Sequence, residues 1–320
     1  MPVHDLGYRN WVGKRSHQLI RPLFVARSGI TLVWRRRMLK LLLMVAWLPI
    51  AIPAGGIFVF ERGVTDPSYR GFVAQTLRGP MDRPDLAQQV MQDPVSIRHE
   101  VWSALILGFF RVPQLYSMVL LIGLIAPLLI SYDLRSKAYL QYFSRPLSPN
   151  EYIAGKSAVI WFFLGMITTL PGLTLYGLGV LLSPEISVVG TTWDIPLRIL
   201  LASVALIVPT TALAISYSAC TVENRYASFA WFATWIMGSV AYQILTNAPR
   251  MGRRRMSEID VDADRWLLVS PYHTLGKVET WLFGLDTGES SVWPAILTLL
   301  AITVIGTLFV RSRLIARLSV

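Results

Sequence analysis

The chain alternates between long runs without a charged side chain and shorter polar segments that hold nearly all of its charge. Six runs of at least 20 residues contain no Asp, Glu, Lys or Arg: 41–60, 112–132, 157–183, 199–222, 226–249 and 290–310. A bilayer core of ~30 Å needs about 20 helical residues at a rise of 1.5 Å each. Each run meets that length, and the pattern predicts six transmembrane helices. Cost explains the missing charges, because a Lys, Arg or Asp at a helix centre is unfavourable by ~2.5–3.5 kcal/mol. Two shorter runs do not qualify. Residues 101–110 lie between Glu100 and Arg111, and residues 266–276 between Arg265 and Lys277. Runs of that length predict interfacial or re-entrant segments.

Ahead of the first run, residues 19–37 read as an amphipathic helix. Leu19, Leu23, Ala26, Ile30 and Val33 recur at three- and four-residue spacing, while Arg21, Arg27 and Arg35 fall largely elsewhere. Such a helix is expected in the membrane interface with its cations toward lipid phosphate. Pro49, Pro53, Pro127, Pro171 and Pro209 fall inside expected spans. Each leaves backbone groups that a neighbouring helix has to satisfy. The segment 102–110 is expected to lie along the outer interface before the second span.

Composition agrees with the pattern. Of 320 residues, 53% are hydrophobic and 15% charged, against roughly 25% charged in average soluble domains. Net charge is +11, and its placement orients the chain. Nine bases face one acid up to Lys40, and Arg311, Arg313 and Arg317 follow the last run with no acid. Residues 133–156 hold four bases and two acids, whereas 61–100 hold five bases and six acids. Lys and Arg excess marks the cytoplasmic side. Both termini are therefore expected in the cytoplasm of a cell with the chain in its plasma (inner) membrane. The expected layout is a basic N-terminus over 1–40, a six-span body over 41–310 and a basic tail over 311–320. The first forty residues show no secretory signal peptide. The basic N-terminus abuts a span, which favours lipid over nucleic acid as its partner.

The segment from Ser131 to Lys156 is the most informative. A short polar-aromatic helix near 135–144 is followed by a break at Arg145-Pro146. Ser148-Pro149-Asn150-Glu151 then has the form of a helix start. Ser148 can cap, Pro149 suits the first helical position and Glu151 completes a capping box. Leu147 and Tyr152 supply a hydrophobic staple. The third span is thus expected to begin in the cytoplasm and enter the membrane as one helix. Read by themselves, these residues fit an ordinary connecting loop equally well.

The stretch Ser144-Arg145-Pro146-Leu147-Ser148-Pro149-Asn150-Glu151-Tyr152-Ile153-Ala154-Gly155-Lys156 resembles the ABC type-2 permease family. That family reads S-R-P-hydrophobic-S-x-x-E-Y-hydrophobic-x-G-K between its second and third spans. A weaker echo runs over 212–229, through Glu223-Asn224-Arg225. The overall look is nearest to permeases of the multicopper-enzyme-maturation type. The resemblance implies an all-α integral membrane fold of six spans, with an N-terminal interfacial helix and a cytoplasmic coupling helix. It implies a pathway formed with a second permease subunit and driven by a partner ABC ATPase, on which ATP and Mg would bind. Contact with that ATPase would fall to Arg135, Ser136, Lys137, Tyr139, Gln141, Tyr142, Arg145, Pro146, Ser148, Glu151 and Lys156. Glu223 and Arg225 would make a second cytoplasmic contact. Leu134 and Lys137-Ala138-Tyr139 depart from the family's usual bases and small residues there.

An enzyme in this chain is not expected. Gly155-Lys156-Ser157 supplies the end of a phosphate loop, but Asn150 stands where its first Gly belongs and no strand precedes it. Neither H-E-x-x-H nor G-x-S-x-G occurs. Cys220 stands alone, and His4, His17, His99 and His273 have no metal-ligand spacing. No catalytic residue, metal site or resident cofactor is therefore expected. The other function class is a non-transporting membrane anchor or assembly factor that recruits a soluble partner through the same loop.

Overall fold

A computed structural model describes residues 20–78, 84–138, 142, 147–252, 266–286, 288 and 290–318. Among these residues every regular element is helical. In chain order they are α1 (Arg21–Trp34), α2 (Arg37–Trp47), α3 (Ala51–Thr65), α4 (Arg70–Arg78), α5 (Pro84–Gln92), α6 (Arg98–Leu115), α7 (Ser117–Leu129), α8 (Ser131–Arg135), α9 (Pro149–Ile167), α10 (Thr169–Leu182), α11 (Val188–Thr192), α12 (Asp194–Cys220), α13 (Asn224–Gly252), α14 (Pro271–Leu282) and α15 (Trp293–Leu318).

Five stretches are long and apolar enough to cross a membrane: Arg37–Thr65, Ser117–Arg135, Pro149–Leu182, Val188–Cys220 and Trp293–Ala316. Their surfaces decide the solvent. Met38, Leu41, Met44, Leu48 and Ile52 face outward from the first stretch, and Leu297, Leu300, Val304, Ile305 and Leu308 from the last. Water does not tolerate apolar faces of that length on a monomer, and these helices are too exposed to be the core of a soluble domain. The chain is a membrane-embedded, multi-pass protein. The run expected as the fifth span is one helix, α13, of 29 residues. It is interspersed with Ser, Thr, Tyr, Trp and Gln and is not one of the five.

Two of the prolines sit at breaks in the spans, while Pro53, Pro127 and Pro209 lie inside continuous helices. Pro49 sits in a 3-10 turn, Leu48–Ile50, that joins α2 to α3. One turn before Pro171 the backbone breaks at Thr168 (φ −122°, ψ −64°), which divides α9 from α10. The second span starts later than its charge-free run, because residues 112–115 belong to α6, which ends at Tyr116.

α12 is the mast of the fold. It packs against α7, α9, α10, α13, α14 and α15. Its first half gives Ile195, Ile199 and Ala202 to one core, shared with α3 to α6 and α10. Its second half gives Leu206, Ala214, Ile215 and Ala219 to another, shared with α1, α2, α7, α9, α13, α14 and α15. Small residues let α15 approach closely. A Cβ on Gly306 would stand 2.9 Å from Ser216 Oγ, and that hydroxyl donates to Gly306 O at 3.2 Å. Close approach through small residues is how helices associate where lipid removes the hydrophobic drive.

Two expectations are corrected. Residues 102–110 do not lie along a surface: Trp102, Ile106, Phe109 and Phe110 are buried, with Phe110 edge-on to Phe283. The face of α1 is also rotated. Its buried residues are Val25, Ala26, Gly29 and Val33, whereas Leu23 is 61% exposed, and Leu19 lies outside the described residues. The reason is a glycine contact with α9. A Cβ on Gly155 would stand 2.8 Å from Pro22 O and 2.6 Å from Val25 Cβ, and one on Gly29 2.6 Å from Val159. The smallest stripe, not the most apolar one, sets the contact.

Gly155→Leu should therefore lift α1 off α9, while Gly55→Ala, which meets open space, should be silent. Limited trypsinolysis at Arg35–Arg37 in detergent checks this; equal cleavage rates in the two variants would refute the contact.

Candidate functional site

The site of interest lies where α7, α9, α12 and α13 converge. Pro127 has no N–H to give to Gly123 O, one turn earlier in α7. Ser228 of α13 donates to that carbonyl instead, at 2.7 Å. The ladder breaks again at Ile130, and Ser218 of α12 closes it. Its Oγ accepts from Ile130 N at 3.3 Å and Ser131 N at 3.0 Å, and donates to Ala126 O at 2.8 Å. Ser131 Oγ donates back to Ser218 O at 2.7 Å. Trp231 Nε1 donates to Val119 O at 2.8 Å. The second span is thus stitched to α12 and α13.

α8 then places Asp133 inside the protein. Lys156 of α9 meets it at 2.7 Å, and both side chains are under 10% exposed. Tyr152 donates its hydroxyl to Asp133 Oδ2 at 2.7 Å. The rings of Tyr142 and Tyr152 pack 5.5 Å apart, and Lys156 Nζ lies 5.4 Å from each ring centre. Aromatic faces thus cover the ammonium beside its carboxylate partner. Ser148 and Glu151 form the expected capping box: Ser148 N donates to Glu151 Oε2 at 2.7 Å, and Glu151 N to Ser148 Oγ at 3.3 Å. Pro149 is the first residue of α9, and Leu147 packs on the core that contains Tyr152.

Outside this lock, Arg135 reaches Glu223 at 3.6 Å, with both side chains well exposed. Such a pair contributes little stability, but it ties the end of α8 to the α12–α13 turn. Of the residues expected to form a contact surface, Arg135, Ser136 and Lys137 are exposed. Lys137 has φ 54°, a left-handed turn that ends the α7–α8 run. Tyr142 and Lys156 are instead drawn into the lock, and Arg225 lies over the ring of Tyr226 at 5.2 Å. Tyr139, Gln141, Arg145 and Pro146 lie outside the described residues, as does half of the expected helix over 135–144.

A second polar cluster lies at the opposite end of the mast. Arg111 of α6 donates to Gln114 Oε1 and to Tyr272 O, each at 2.9 Å, and meets Glu279 of α14 at 3.4 Å. Gln114 also donates to Glu279, which is fully buried. The Arg111 guanidinium lies 3.6 Å from the Tyr272 ring centre. A Cβ on Gly276 would sit 2.7 Å from the guanidinium, so Gly276 makes room for it. His273 stacks on Tyr242 of α13 at 3.7 Å and bonds Ser270 Oγ at 2.9 Å. At the start of α6, far along the helix from Arg111, Glu61 holds Arg98 in two bonds of 3.0 and 3.1 Å and accepts from Trp102 Nε1 at 3.1 Å. Sequence reasoning treated Arg111 and Glu61 as run boundaries. The available signal was a lone base and a lone acid bordering apolar segments, since such charges pair inside a membrane protein.

No protein-family model and no curated protein matches the chain.

Two measurements test this geometry. Lys156→Met leaves a buried carboxylate short of its cation, and should destabilise the protein by about 3–5 kcal/mol. Asp133→Asn with Lys156→Met keeps the acceptor for Tyr152 without a charge, and should lose far less in denaturant unfolding in detergent. Equal losses would mean that the pair is not buried as described. For His273, burial and then Arg111 lower the pKa from 6.5 to about 4. The unfolded chain binds that proton first, so the contribution of the neutral ring is complete above pH 6.5 and is lost as pH falls toward about 4. In thermal scans across that window, the melting temperature of His273→Phe should fall less with acid than the wild type's; parallel curves would refute it.

Proposed function

We propose that this chain is the permease subunit of an ATP-binding-cassette transporter, with α13 as its sixth span and both termini in the cytoplasm. The observation that carries the proposal is the anchoring of the 136–148 segment at both ends. On one side α8 is held by Ser218 and by the Asp133–Lys156 pair. On the other, α9 starts at a capping box one turn before Tyr152 and two before Lys156. A load placed on the segment is delivered to the second and third spans together. That is the mechanical requirement for a segment that couples a nucleotide-driven partner to a membrane helix bundle.

In this proposal the partner is a cytoplasmic ATPase that binds ATP and Mg and grips the exposed Arg135, Ser136 and Lys137 together with Tyr139, Gln141 and Arg145. Arg and Tyr suit a partner surface that is part apolar and part acidic. Nucleotide-driven movement of the partner tilts the second and third spans against α12. A second permease subunit completes the pathway. Substrate binding falls to the bundle and ATP hydrolysis to the partner.

The test is co-purification of the tagged chain with a candidate ABC ATPase, sought first in the reading frame beside its own. Arg135→Ala, Lys137→Ala and Arg145→Ala together should abolish ATPase retention and transport. Unfolding free energy should shift by no more than about 0.5 kcal/mol, as surface changes do. Retention of both activities in the triple variant would sink the coupling role. A wild-type chain that holds a soluble partner without nucleotide-dependent transport would point to the anchor or assembly role.

A further inference from the structure

Four consecutive residues at the junction of α1 and α2, together with two from α7, form a groove that combines cations with an apolar floor. Arg36, Arg37, Met38 and Leu39 line one wall, and Leu124 and Leu128 the other. Leu39 and Leu128 are buried, whereas Arg36, Arg37 and Met38 are exposed. Among the described residues, neither arginine side chain has a hydrogen bond or an ion pair. The arginines drawn into the fold do have carboxylates: Arg98 has Glu61, Arg111 has Glu279, and Arg198 has Asp194. The arginines of the groove are left for something outside the chain.

Position narrows the choice. Leu128 lies seven residues ahead of the exposed Arg135, so the groove opens about 10 Å along the helix from the polar end of that span. Met38 is 71% and Leu41 62% exposed on the same side, which places the groove on a face that lipid covers. Long basic side chains at that depth reach the headgroup layer while their stems stay among apolar groups. A ligand that fits must present an anionic group to two guanidiniums and an apolar chain to Leu39, Leu124 and Leu128. Guanidinium forks bind phosphate oxygens in pairs.

We propose that this groove is a binding site for one anionic phospholipid of the bilayer leaflet that faces the 136–148 segment. Arg36 and Arg37 hold its phosphate, and an acyl chain lies against Leu39, Leu124 and Leu128. The lipid bridges the start of the first span to the last turns of α7, directly ahead of Ser131 and Asp133. A bound anionic lipid stiffens the second span at its anchored end. The site does not depend on the transporter proposal, because its parts are the membrane spans themselves.

Photo-crosslinking tests it. The full chain is placed in phosphatidylcholine vesicles with phosphatidylglycerol as the minor lipid, plus a trace of either lipid carrying a diazirine in its acyl chain. The phosphatidylglycerol probe should label α7 around Leu124 and Leu128 well above the phosphatidylcholine probe. Each basic residue near an anionic surface is worth roughly fivefold in binding. Arg36→Ala with Arg37→Ala should therefore cut that labelling by roughly tenfold or more. Arg27→Ala with Arg35→Ala, on the neighbouring face of α1, should leave it unchanged. Leu124→Trp fills the groove and should reduce labelling with both arginines present; it carries the test alone should the first variant not fold. Equal labelling by the two lipids would overturn the proposal, as would equal loss in the two arginine pairs. Full competition by soluble glycerol phosphate would overturn it too, by showing a free-phosphate site.

Discussion

Pro127 interrupts the hydrogen-bond ladder of a helix in a place where water is not available to take up the freed carbonyl. In lipid every backbone group must find a partner within the protein, and that demand organises this molecule more than any single apolar contact. Gly123 O is claimed by Ser228, Val119 O by Trp231 and Ala126 O by Ser218. Trp47 Nε1 donates to Met166 O at 3.0 Å, close to the break ahead of Pro171. The irregular turns of α7 and the α9–α10 break thus recruit donors from other helices. The resulting bonds fix which helices are neighbours and at what height they meet.

The same economy governs the charges. Each charged side chain that is buried in the protein has an opposite charge already in place. Asp133, Lys156 and Tyr152 close one end of α12, and Arg111, Gln114 and Glu279 hold α14 against α6 at the other. Between them the two cores carry no charge, and many of their Ser and Thr hydroxyls turn back on their own helix, such as Thr210 to Leu206 O and Ser203 to Ile199 O. A bundle pinned at both ends and smooth in the middle can tilt its helices without exposing an unpaired charge. The proposed coupling role needs that property: the pinned end receives force, and the apolar middle slides.

Much of this was legible in the sequence. Charge-free runs located the five membrane-crossing stretches to within a few residues at most ends, because a charge at mid-bilayer is expensive whatever the fold. Pro49 and Pro171 announced the breaks, and Ser148-Pro149-Asn150-Glu151 announced its own capping box, since all of its bonds are made within four residues.

Other features were decided only in three dimensions. Nothing in the spacing of Asp133, Tyr152 and Lys156 says that they meet, because the meeting depends on how α8 and α9 fold back on each other. The pairing of Arg111 with Glu279 spans 168 positions, and the face that α1 buries was set by Gly29 and Gly155 rather than by its largest apolar side chains. The sequence by itself determined where the chain is apolar, where it kinks and where α9 begins, since these follow from solvent transfer and from bonds between near neighbours. Tertiary structure alone decided which carbonyl takes which serine, which charges neutralise each other and which small residues touch, since those depend on distances between helices that no local pattern encodes.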